Sequence, residues 1–194
     1  MRAEAPPPAV VVAPMRRRHL PGVLAIERRV HHPPWSAGTF AAELAAGEGR
    51  RYLVAQEPRG WRTRVVGYAG MLAGEGEAHV STVAVDPQAQ RRRVATRLLV
   101  RLLAEARDRG VERASLEVRV SNRGAQRLYS GFGFAPVGLR PRYYPGDGED
   151  ALVMWLDDLQ SEAYAARLAR QAARVAAADA GAGERADAAG GGGR

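Results

Sequence analysis

Leu116-Glu117-Val118-Arg119-Val120-Ser121-Asn122, followed by Leu128-Tyr129 and then by Gly131-Phe132-Gly133-Phe134, is the stretch that decides the fold. Leu116, Val118 and Val120 alternate with Ser115, Glu117 and Arg119, the period-two pattern of a strand with one apolar and one polar face. Ala125, Leu128 and Tyr129 then recur at helical spacing until Gly131 stops the turn. Phe134 to Leu139 resumes the extended pattern, so the segment reads strand, short helix, strand.

Working outward, Val94, Leu98, Leu99, Leu102, Leu103 and Ala106 form a long apolar helical stripe ending before Gly110. Upstream, Tyr52 to Gln56, Val65 to Leu72 and Ala78 to Val85 are successive strands, with turns at Gly60 and at Gly74-Glu75-Gly76. Val10 to Val12 reads as a first short strand. Leu20, Val23, Leu24 and Ile26 mark a first helix, and Ser36 is placed to cap a second through Phe40 and Leu44. Ala151 to Leu156 closes the series. The predicted class is α/β: one domain with a mixed central sheet of about six to seven strands, flanked by about four helices, plus a C-terminal low-complexity tail.

The domain boundaries follow composition. Residues 1–8, with three consecutive prolines, read as a flexible N-terminus, and residues 9–156 as the domain. Residues 157–194 are an Ala/Arg/Gly-rich extension, helical from Leu159 to Ala178 and then disordered through the glycine run 190–193. Leu159, Ala163, Ala166 and Arg170 could dock that helix on the domain, but a solvated, fraying helix is the expectation.

The chain has 194 residues, 46% hydrophobic and 26% charged, and no cysteine. Disulfides, thiolate metal sites and cysteine nucleophiles are therefore excluded together, and a reducing, cytoplasmic setting fits. No apolar run approaches the roughly 18 residues of a membrane span, and no export signal is evident. The net charge of +8 is all arginine; the last 38 residues hold five Arg and six acids, so the excess lies in the domain. No aromatic residues interleave with the Arg clusters as single-strand platforms require, which argues against direct nucleic-acid binding. The histidines suggest no metal site: His31 and His32 cannot share a helix face, and His19 and His79 lack an acidic partner at metal spacing.

Two places carry chemistry. The junction Asp86-Pro87-Gln88-Ala89-Gln90-Arg91-Arg92-Arg93-Val94-Ala95-Thr96 enters the long helix, and a helix start presents free N–H groups and a positive dipole end suited to phosphate. Position alone does not separate a phosphate cradle from three solvated arginines. At the second place, Glu117 taken alone reads as an exposed strand carboxylate paired with Arg119, Tyr129 as a core aromatic and Asn122 as a helix cap.

The string from Leu116 to Phe134 resembles the GNAT acyltransferase superfamily. Within it, Glu27, His32-Pro33-Pro34-Trp35-Ser36 with Phe40, Val83-Ala84-Val85-Asp86-Pro87, and Arg142-Tyr143-Tyr144-Pro145 with Glu149-Asp150-Ala151 are similar in order and spacing to the RimI branch, which acetylates the N-terminal alanine of the eighteenth small-subunit ribosomal protein. The resemblance covers about Val10 to Leu156. It implies acetyl-CoA as co-substrate, with the pantetheine beside Val83, Ala84 and Val85 and the pyrophosphate on the amides of Arg91, Arg92, Arg93, Val94, Ala95 and Thr96. Gln90 and Ala95 match the superfamily loop, whereas Arg93 stands where its first Gly is expected; a Gly there lets backbone approach phosphate.

The same resemblance implies Glu117 as general base, Tyr129 as the acid that protonates the CoA sulfur, and Asn122 as a partner of the pantetheine arm. Trp35, Tyr143 and Tyr144 would wall the peptide entrance, and the Val85 N–H would polarise the oxyanion. The expected partner is a protein N-terminus, with no metal and no membrane. An α-amine titrating near 7.8 is about one-third neutral at pH 7.5, whereas lysine is neutral in roughly one molecule per thousand, a difference of about 3.5 kcal/mol. One modest base suits the α-amine better. The rival readings are an acetyltransferase of lysine or a small amine, and a non-catalytic CoA-binding or ribosome-associated module.

Overall fold

The computed structural model describes residues 9–190, with side chains through Ala180. Residues 1–8 and 191–194, which hold the predicted flexible start and the end of the glycine run, lie outside the described residues. The elements run β1 (Val11–Pro14), α1 (Leu20–Val30), α2 (Ala37–Ala45), β2 (Arg50–Arg59), β3 (Arg62–Ala73), β4 (Glu77–Val85), α3 (Val94–Asp108), β5 (Arg113–Arg119), α4 (Arg123–Phe132), β6 (Ala135–Arg140), β7 (Ala151–Leu156) and α5 (Glu162–Gly190). The order is the predicted one. The β2–β3 hairpin extends beyond its apolar segments because Pro58↔Thr63 and Arg59↔Arg62 continue the ladder where no side-chain alternation marks it.

Seven strands form one sheet in the order β1-β2-β3-β4-β5-β7-β6, antiparallel except between β4 and β5. Helices α1 and α2 cover one face, where Val23, Ile26 and Phe40 pack on Tyr52, Val54 and Tyr68. The other face carries α3, α4 and α5, where Leu98, Leu99, Leu102 and Leu103 meet Val80, Leu116 and Val118. The central strands β2 and β3 thus bury both faces, and the apolar stripe of α3 supplies the larger core.

The extension corrects an expectation. Leu159, Tyr164 and Leu168 are buried in the same core as α3, so packing does not stop at the expected edge near Asp157. Gln171 Nε2 donates to Gly131 O at 2.8 Å, and Arg97 of α3 pairs with Asp179. The stripe through Ala163, Ala166 and Arg170 is the exposed face; the buried one runs through Tyr164, Leu168 and Gln171. Alanines on every side of the helix hide which face is apolar, and the two large side chains decide it by area.

Candidate active site

The parallel pair β4–β5 is joined only at Glu77↔Arg113, Ala78↔Ala114 and His79↔Ser115. Beyond that point the strands part, residues 80–85 on one side and 116–119 on the other. The cause lies in β4. Between the pairs Met71↔Val80 and Gly70↔Thr82 it carries one extra residue, Ser81. A bulge bends and twists its strand, so the second half of β4 swings away from β5 and leaves a slot in the sheet. It also reverses the alternation: Ala78 and Val80 face α3 before it, and Val83 and Val85 pack on the α3 side after it.

Val83, Ala84 and Val85 form one lip of this slot. Asp86 N–H donates to Val66 O of β3 at 2.9 Å, so by alternation the Val85 N–H points the other way, into the opening. The strand then turns through Asp86, which accepts from Gln88 N–H at 3.0 Å and pairs with Arg64 at 2.6 Å. Burial alone would raise the Asp86 carboxyl; the Gln88 N–H and the Arg64 guanidinium outweigh it and hold it below the usual range.

At the start of α3, Gln90, Arg91 and Arg93 are exposed, Ala95 is half-buried, and Val94 and Thr96 are buried. Arg91 and Arg93 both take left-handed backbone, with φ of 62° and 57°. Arg93 is therefore accommodated in the conformation that favours Gly, at a cost of about 1–2 kcal/mol. No side chain caps the helix, and the N–H groups of Val94, Ala95 and Thr96 have no intrahelical acceptor. Gly67 of β3 sets how low this turn sits: a Cβ there would lie 2.8 Å from Val94 Cγ1 and 3.0 Å from Ala84 O. Arg92 is turned away and pairs with Glu57 at 2.8 Å.

The opposite lip carries Glu117. Its side chain is 7% exposed and is gripped on both oxygens, Oε1 by Arg140 Nη1 at 3.0 Å and Oε2 by His79 Nε2 at 3.3 Å. Arg119, the partner expected from sequence, instead pairs with Asp147 at 2.8 Å and Glu149 at 2.7 Å, and lies 4.0 Å from the Tyr144 ring centre. That network pins the loop 141–150 over the end of β5, helped by Ser121 N–H donating to Glu149 Oε1 at 2.8 Å. Asn122 caps α4 by accepting from Ala125 N–H at 3.0 Å.

Tyr129 is buried on α4, its ring edge-on to Phe134 at 6.0 Å. Among the described residues its hydroxyl has no hydrogen-bond partner. Burial, then the neighbouring Tyr144, pushes its phenol well above the ordinary value, so it stays protonated at neutral pH. Burial likewise raises Tyr144 to about 12 against the opposing Arg119 charge, with Tyr143 and Glu117 adding to the rise. These couplings run from Glu117 through Tyr144 to Tyr129, so the two predicted proton carriers share one electrostatic neighbourhood.

Two loops stand above the slot. Tyr143 and Tyr144 pack edge-on at 5.2 Å, and Trp35 leans on Phe40 at 5.4 Å. The loops touch: a Cβ on Gly146 would lie 2.7 Å from His32 O. Glu27, buried on α1, shapes the first loop by accepting from Trp35 N–H at 2.8 Å and bonding His31 Nδ1 at 2.6 Å and the Tyr68 hydroxyl. Burial would raise this carboxyl, but the bonds from His31, Tyr68 and Trp35 outweigh it and lower it.

The chain that forms this parted sheet, with an uncapped helix start at one lip and a carboxylate at the other, matches over residues 20–134 the family model described as the acetyltransferase (GNAT) family. The chain belongs to the acetyltransferase (GNAT) family. It is 37% identical over 147 residues to the ribosomal protein bS18-alanine N-acetyltransferase of Escherichia coli K12, covering 75% of this chain and 95% of that one. The crystal structure of the ribosomal-protein-S18-alanine N-acetyltransferase from Escherichia coli matches with TM-score 0.68 and 34% identity, over 77% of this chain and 94% of that one. A putative acetyltransferase from Salmonella typhimurium, solved with its cofactor acetyl-CoA, shares the fold at TM-score 0.65 and 22% identity, over 79% and 95% of the two chains.

As a GNAT acetyltransferase the protein is an enzyme of acyl transfer. Sequence reading missed two members of this GNAT site, His79 and Arg140. The sequence shows His79 no acidic partner at metal spacing; the fold brings it to Glu117 because β4 and β5 are hydrogen-bonded neighbours, the two residues 38 apart in the chain. The polar row Ser115-Glu117-Arg119 is visible in sequence; which strand lies beside it is not. Among the described residues no group of His and carboxylates is arranged to hold a metal, and no helix is long and apolar enough to cross a membrane.

Proposed function

We propose that this enzyme transfers the acetyl group of acetyl-CoA to the α-amine of a protein N-terminus, an N-terminal alanine of a ribosomal protein, in the cytoplasm. The observation that carries the reading is Glu117, a carboxylate set at the edge of the β4–β5 slot beneath two aromatic loops. The identity to bS18-alanine N-acetyltransferases, spread over nearly their whole length, supports the choice of acceptor.

In the proposed mechanism the pantetheine arm enters the slot along Val83, Ala84 and Val85, with Asn122 bonding it from the far side. The pyrophosphate sits on the first-turn amides of α3, between Gln90 and Thr96, where the dipole favours negative charge. The acceptor enters between Trp35 and the Tyr143–Tyr144 pair. Glu117 removes one proton from the ammonium, directly or through water, and the neutral amine attacks the thioester carbon. The C–N bond forms, and the oxyanion is held by the Val85 N–H. Collapse breaks the C–S bond, and Tyr129 gives its proton to the departing sulfur; the second proton of the attacking nitrogen leaves to water as the amide forms, and Tyr129 regains its proton from water. No acyl-enzyme is required, which agrees with the absence of cysteine.

The direct test is intact-mass analysis of an Ala-initiated peptide incubated with acetyl-CoA and the protein. One added acetyl group is expected on the α-amine, and none on the same peptide with a blocked N-terminus. Acetylation of the blocked peptide on lysine would favour the lysine acetyltransferase instead. Binding of acetyl-CoA without thiol release would favour a non-catalytic module. The loop supplies a second expectation: Arg93→Gly relieves a left-handed arginine and should raise Tm by about 2–4 °C for about 1 kcal/mol. It should also lower KM for acetyl-CoA, since the Cβ beside the phosphate amides is gone. A KM unchanged by the substitution would mean that this Cβ stands clear of the phosphates.

A further inference from the structure

His79 occupies the last paired position before the slot opens, directly across from Ser115. Its Nε2 lies 3.3 Å from Glu117 Oε2 and its Nδ1 3.2 Å from Ser115 Oγ. Glu117 therefore has two different partners: the Arg140 guanidinium on Oε1 and the His79 imidazole on Oε2. The bond between Nδ1 and the Ser115 hydroxyl fixes the ring so that Nε2 faces the carboxylate.

The other charged groups around this row are already committed. Glu77 and Arg113, one step back along β4 and β5, close on each other at 2.9 Å. Arg119 is held by Asp147 and Glu149. Tyr143 and Tyr144 face Glu117 from the loop as phenols. The His79 side chain is 38% exposed, so it exchanges its proton with water and needs none from the substrate.

We infer that His79 is a positioning residue for the base: its ring, fixed by Ser115, faces Glu117 Oε2 and holds the carboxylate toward the acceptor amine. The inference rests on the N-acetyltransferase reading above.

The experiment is steady-state kinetics for an Ala-initiated peptide at saturating acetyl-CoA, beside a melting curve, in the natural protein, His79→Gln and His79→Ala. At pH 8 His79→Ala should lose about tenfold in kcat, less than a group acting on the proton directly. KM for acetyl-CoA should stay within about twofold, and His79→Gln, which keeps an N–H donor, should recover part of the lost kcat. A folded His79→Ala with kcat within about twofold of the natural protein, or a His79→Gln no faster than His79→Ala, would overturn the inference. A histidine that only braced the strand would lower Tm in both variants, with no recovery of kcat in His79→Gln. Failure of the natural protein to acetylate the peptide at all would instead remove the N-acetyltransferase reading, before any variant is made.

Discussion

Glu117→Gln is expected to lower kcat for an Ala-initiated peptide by about 100-fold or more, the usual scale for losing a general base. Gln keeps the shape and the oxygen that Arg140 reaches but cannot take a proton from the acceptor ammonium. The ion pairs it removes sit at the rim of the slot, with Arg140 58% and His79 38% exposed, so their loss costs about 1 kcal/mol or less. That corresponds to a Tm change of at most about 2–4 °C, and the variant should be folded and still bind acetyl-CoA. Steady-state kinetics beside a melting curve check this. A folded variant with kcat within about threefold of the natural protein would show that another group, or water alone, removes the proton.

Tyr129→Phe should have a similar effect on kcat, about 100-fold or more. Here the contrast with a structural role is sharp. The ring is buried against Phe134 and its hydroxyl has no partner among the described residues, so Phe keeps every packing contact and removes only an unpaired polar atom. Stability should hold or rise slightly. A tyrosine that served only the core would leave kcat unchanged, whereas loss of turnover in a protein of full stability marks the proton donor. Release of free CoA thiol, followed by absorbance with a disulfide reagent, reads the step that Tyr129 is proposed to complete. If the rate is limited by product release, single-turnover mixing exposes the same deficit.

Most of the fold was legible before any coordinates. The alternation Leu116, Val118, Val120 and the stripe Val94 to Ala106 each match a single regular element, and the order of twelve elements follows from reading such segments in turn. The candidate residues were legible for a different reason. They sit at fixed steps from those elements, Glu117 on the polar face of a strand and Tyr129 one helix later, and resemblance to the family attached roles to them. The extension was misread because alanine marks no face: Tyr164 and Leu168 bury on α3 while the stripe inferred from Ala163 and Ala166 faces water.

What the amino-acid order settled by itself is local: periodicity, caps and turns, together with the exclusion of cysteine chemistry. What only the folded chain decided is who stands beside whom across strands. The extra residue Ser81 parts β4 from β5, and that separation creates the slot. Pairing of β4 with β5 brings His79 to Glu117, and β6 brings Arg140, while Arg119, two residues from Glu117, turns to Asp147 and Glu149. The physical reason is that hydrogen-bond register between strands depends on long-range packing and not on neighbours in sequence, so charge partners across a sheet are fixed only when the sheet is assembled.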